Sequence, residues 1–80
     1  MPREILRALD ADVRRLLAAG GASAPADEGL RRRGEALREP GRKVPALAQV
    51  AAVVDRVTDA PVEQATAPLL DLLIRTRSAR

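Results

Sequence analysis

The chain has 80 residues, 46% of them apolar, a net charge of +3, and no Phe, Tyr, Trp, Cys or His. A chain this short buries only about 60–65% of the surface its unfolded form exposes, and without aromatics its core must be built from Leu, Val, Ile and Ala. The missing Cys and His exclude disulfides, the ordinary zinc sites and most general bases and nucleophiles, so a non-enzymatic protein without cofactor, metal or small-molecule substrate is expected.

In the first segment Ile5, Leu6, Leu9, Val13, Leu16 and Leu17 recur at helical spacing, with charges on the remaining faces. The spacing predicts a helix over 3–19, with Pro2 tolerated in the first turn and Gly20-Gly21 supplying its left-handed end. The stretch GGASAPADEG is a loop in which Ser23 or Asp27 can cap the next helix. That second helix, predicted over 27–39 with room for a further turn toward Val44, is poor in core residues. Its apolar positions are Leu30, Ala36 and Leu37, while Gly29 and Gly34 each cost about 1 kcal/mol relative to Ala in a helix interior. Pro40-Gly41 should kink or end it.

A third helix is predicted over 45–59, opened by Pro45, with Leu47, Val50, Val54 and Val57 forming one stripe and Val53 widening it. Asp59-Ala60-Pro61 breaks it and begins a fourth, predicted over 61–77, in which Pro68 marks either a kink or the true start. Beyond Pro68, Leu69, Leu70, Leu72, Leu73 and Ile74 cover nearly the whole circumference. One helix of a small bundle needs a single apolar face, so a second, covered face is expected here. The fold class is therefore all-α, about four antiparallel helices in a single domain over 1–80.

The run KVPALAQVAAVVDRVTDAPVEQATAPLLDLLIRTRSAR, two helices each opened by a proline and separated by an Asp-Ala-Pro turn, resembles the N-terminal region of bacterial proteins built from HEAT-like helical repeats, over residues 43–80. The resemblance implies a scaffold that holds other proteins and offers no catalytic residue to carry over. No second copy of the unit occurs within the chain, so it implies an N-terminal piece or cap of a longer helical-repeat protein.

Two surfaces are candidates for function. The outer face of the last helix, with Leu70, Leu72 and Ile74 edged by Arg75 and Arg77, is expected to bind a protein partner or a second copy of the chain, giving a homo-oligomer. The second is the basic stretch Arg31, Arg32, Arg33, Arg38, Arg42 and Lys43, which suits phosphates and defines the alternative reading: a small nucleic-acid-associated regulator or an antitoxin-like protein. Against that alternative, no aromatic can stack on bases, and Glu28, Glu35 and Glu39 are spaced to pair with Arg32, Arg31 and Arg38 or Arg42. An Arg and Ala bias is also what a GC-rich genome produces, so the high pI says little about an anionic partner. Two carboxylate pairs, Asp10 with Asp12 and Asp55 with Asp59, fall short of the ligand count of a hard cation. No stretch approaches the ~18 apolar residues of a membrane span, and the N-terminus interleaves charges where a signal peptide is apolar. A cytoplasmic location without membrane contact is expected.

Overall fold

The computed structural model describes residues 2–80. Four helices follow in order, α1 (Pro2–Ala18), α2 (Glu28–Gly41), α3 (Pro45–Asp59) and α4 (Thr66–Ala79), with short 3-10 turns at Ala24–Ala26 and Val62–Gln64. Among the described residues there is no strand.

The helix ends follow from local chemistry. α1 closes with Gly21 N–H donating to the Leu16 carbonyl (2.8 Å) and Gly20 N–H to that of Leu17 (3.0 Å). These are the paired bonds of a Schellman ending, and Gly20 adopts the positive φ (91°) it requires. Asp27, rather than Ser23, caps α2: its Oδ1 accepts from the Leu30 N–H at 2.8 Å. α2 continues through Pro40 to Gly41 instead of stopping at residue 39. The Pro40 carbonyl then accepts from the Lys43 and Val44 N–H groups, at 3.2 and 3.1 Å, which turns the chain directly into α3. The last helix begins later than expected, at Thr66 rather than residue 61, because Pro61 leads only into the 3-10 turn. Pro68 thus falls in the first turn of α4, where a backbone N–H has no intrahelical partner to lose.

α1 packs beside α2 and α4, and α3 beside the same two, closing a four-helix ring. Contacts fix the directions. Asp12 meets Arg33 and Arg15 meets Asp27; Gly34 and Gly41 face Val54 and Ala48; Gln49 and Arg56 reach Arg75 and Asp71; Asp10 reaches Arg77 while Gly21, just past the end of α1, faces Thr66. In each pair residue numbers rise on one helix as they fall on its neighbour, so adjacent helices are antiparallel, in a bundle of 34 × 19 × 18 Å.

The core is aliphatic, centred on Leu9, Val13, Leu16, Leu30, Leu37, Val50, Val57, Leu69 and Leu72, all essentially inaccessible to water. α2 buries Leu30, Gly34, Leu37 and Gly41, spaced 4, 3 and 4 residues apart, while Ala36 is exposed. The glycine that weakens α2 as an isolated helix is therefore a core position. A Cβ placed on Gly34 would sit 2.6 Å from Val54 Cγ1, and one on Gly41 would sit 3.0 Å from the Ala48 backbone. Glycine lets the α2 and α3 backbones approach closely, which compensates for the small side chains the composition allows.

Candidate functional site

α4 carries the surface with the clearest excess. Its buried stripe is Ala65, Leu69, Leu72 and Thr76, again at spacings of 4, 3 and 4, and Leu73 packs against the rim of the core. Leu72 was expected on the outer face with Leu70 and Ile74, and the structure corrects this: it is fully buried. A helix that is apolar all round does not reveal from its period which face turns inward; the flanking α1 and α3 decide it. What remains outside is Leu70 (49% exposed) and Ile74 (64% exposed), one turn apart.

The arginines edging that strip lie on opposite flanks. Arg75 is held toward α3, with Nε 3.1 Å from Asp71 Oδ1 and Nη1 donating to Gln49 Oε1 at 2.9 Å. Arg77 is held toward α1 by Asp10, at 3.3 Å. At its N-terminal end the strip opens into a groove of about 910 Å³ between the end of α3 and the start of α4. Ala60, Pro61, Ala67, Pro68 and Leu70 supply its apolar lining, and Asp55, Asp59 and Glu63 its acidic groups. Asp55 is engaged by Arg38 at 3.4 Å, while Asp59 and Glu63 have no ion-pair partner among the described residues.

The basic stretch does not form one patch. Arg33 turns inward to Asp12 of α1 and Arg38 to Asp55 of α3, whereas Arg42 makes an exposed pair with Glu39 at 3.7 Å. Of the pairings expected within α2 only this last one forms. Arg31, Arg32 and Lys43 are exposed and unpaired among the described residues. Arginines with long side chains reach across to neighbouring helices, a choice that spacing along one helix cannot register.

The cluster that sequence reasoning missed is centred on Asp10. Its side chain is only 4% exposed, yet Arg14 Nε lies 2.9 Å from Oδ1, and Arg77 Nε and Arg80 Nη2 lie 3.3 and 3.0 Å from Oδ2. The Arg14 contact is an ion pair without hydrogen-bond alignment, since Oδ1 accepts no directed hydrogen bond. The Asp10–Arg14 spacing is legible as a surface pair, but Leu6, Asp10, Val13 and Leu17 stand 4, 3 and 4 residues apart. Asp10 thus occupies a position at the edge of the apolar stripe, the one signal that marks it as partly internal.

Among the described residues no three carboxylates converge as a metal site would need, and no helix is long and apolar enough to cross a membrane. Comparison with models of protein families, with curated protein sequences and with solved structures found no match to the chain. The geometry defines an antiparallel four-helix bundle with an uncovered apolar strip on its last helix.

Proposed function

We propose that the chain is a non-enzymatic protein-interaction module that self-associates through the outer face of α4. The observation that carries this reading is the exposure of Leu70 and Ile74 on a helix whose core stripe is already complete without them. Burying the part of each side chain still exposed, about half of Leu70 and two-thirds of Ile74, stabilises an interface by about 0.7–2 kcal/mol each, and a thin 80-residue core gains from any added apolar cover. Charge favours a second copy in a head-to-tail contact. The acidic Asp59 and Glu63 beside the α4 strip, and the unpaired Arg31 and Arg32 of α2 with Lys43 of the following turn, lie on opposite sides of the helix ring and are complementary between copies. The antiparallel pair α3 and α4, each with a proline in its first turn, suits a place at the head of a HEAT-like helical scaffold.

Sedimentation velocity over a wide concentration range tests this reading. The wild-type chain should associate reversibly, and Leu70→Glu with Ile74→Glu should yield a monomer of unchanged helicity. A wild-type chain that stays monomeric throughout, or association that survives both substitutions, refutes it.

A second reading, a nucleic-acid-associated regulator, has one observation in its favour, the exposure of Arg31, Arg32 and Lys43 without acidic partners among the described residues. Its electrostatic footprint is reduced from six residues to these three, because Arg33, Arg38 and Arg42 are paired.

A further inference from the structure

We infer that the edge between α1 and the end of α4 is a binding site for a dianionic phosphate group, as the free ion or as a phosphomonoester. It lies on the opposite flank of the Leu70–Ile74 strip from Arg75 and does not depend on self-association. Three guanidinium groups, those of Arg14, Arg77 and Arg80, converge on the Asp10 carboxylate, and none of them has another acidic partner among the described residues. Three guanidinium charges against the Asp10 carboxylate leave +2 on these four side chains, and the α-carboxylate that Arg80 carries in the 80-residue chain lowers the local excess to +1. The negative end of the α4 dipole, roughly half a charge, offsets only part of that excess.

The site is organised before any ligand arrives. Asp10 is itself almost wholly buried, so the anchor is fixed by the core, while the three arginine side chains remain 63%, 51% and 39% exposed. Each guanidinium has five donors in a rigid fork. Arg14 and Arg77 approach Asp10 through Nε, leaving their terminal nitrogens for solvent or a ligand. Arg7, two turns before Arg14 on the same face of α1, is exposed and unpaired among the described residues and extends the edge.

Charge and shape select the ligand. A phosphomonoester carries about −1.5 to −2 near pH 7 and presents three acceptor oxygens to planar forks that match them. A carboxylate or a phosphodiester brings a single charge, and the chain has no aromatic on which a nucleic-acid base could stack.

The test follows the arginine Nε–Hε resonances of the full chain by NMR during titration with inorganic phosphate, O-phosphoserine, dimethyl phosphate and sodium chloride at matched ionic strength. Saturable shifts at Arg14, Arg77 and Arg80 are expected with inorganic phosphate, and with O-phosphoserine if a monoester is accepted. Dimethyl phosphate, with one charge, should bind roughly tenfold more weakly, and chloride should give no saturable shift. Arg77→Gln with Arg80→Gln should weaken phosphate binding at least tenfold. Should that pair lose the fold by unpairing Asp10, Arg7→Gln, which breaks no ion pair, should still weaken it two- to threefold. The proposal is overturned by shifts that are equal in chloride, by saturation that maps to Arg31 and Arg32 instead, by equal affinity for dimethyl phosphate, or by phosphate affinity unchanged in the variants.

Discussion

Replacing Gly34 with Ala puts the close approach of α2 and α3 under direct test. On an exposed helix the change would stabilise the protein by about 1 kcal/mol, because Ala loses less backbone freedom on folding. Here the new Cβ would lie 2.6 Å from Val54 Cγ1 and 3.0 Å from Val54 Cβ, well inside van der Waals contact with a branched, buried side chain. Val54 is 1% exposed and belongs to the buried core. Relieving the overlap requires the helices to separate or Val54 to leave its rotamer, at a cost of about 1–3 kcal/mol. Because the close contact involves the stem of Val54, we take the upper part of that range, so the net effect is a loss of about 1–2 kcal/mol. For a domain of this size that lowers Tm by roughly 5–15 °C.

Chemical and thermal denaturation followed by helical circular dichroism measure it. A double-mutant cycle then assigns the cause. Val54→Ala alone should cost about 2–3 kcal/mol through lost burial and a cavity, but in combination with Gly34→Ala the added methyl occupies the vacated space. The double variant should be more stable than the sum of the singles by at least about 1 kcal/mol. A Gly34→Ala variant with a raised Tm, or strict additivity with Val54→Ala, would refute the claim that glycine at this position sets the helix approach.

Other consequences are as direct. Thr76 is buried with its Oγ1 lacking any hydrogen-bond partner, so Thr76→Val should stabilise the fold by about 1 kcal/mol in urea melts, the reverse of what an ordinary buried hydroxyl would give. Asp27→Ala removes the α2 cap, whose carboxylate accepts from Leu30 N–H and also pairs with Arg15; it should cost about 1–2 kcal/mol, and a smaller loss in Asp27→Asn would separate the cap from the ion pair. For the basic stretch, retention on heparin should fall when the unpaired Arg31, Arg32 and Lys43 are replaced by Gln, with little change in Tm. Replacing Arg33 should instead lower stability, since it bridges to Asp12 of α1; an equal loss of retention with no loss of stability would contradict that division.

Local chemistry on its own determined much of this protein. The period of the apolar residues, the prolines at helix starts and the Gly20-Gly21 stop all act within a few residues, so four helices and nearly all their boundaries are legible in the chain. The exceptions are just as physical. Pro61 and Pro68 compete for the same role, and only the packing of Ala65 and Leu69 into the core places the start of α4 at Thr66. Leu69, Leu70, Leu72, Leu73 and Ile74 are equally apolar, so no pattern along α4 distinguishes the face that meets α1 and α3 from the face left outside. Gly34 and Gly41 are poor helix residues until the helix they touch is known. The partners of Asp10, Asp12 and Asp55 lie on neighbouring helices, and a pair formed across helices depends on their relative register. Local propensity is read along one strand of chain; burial, close approach and charge pairing between helices are properties of two, and the tertiary structure alone supplies the second.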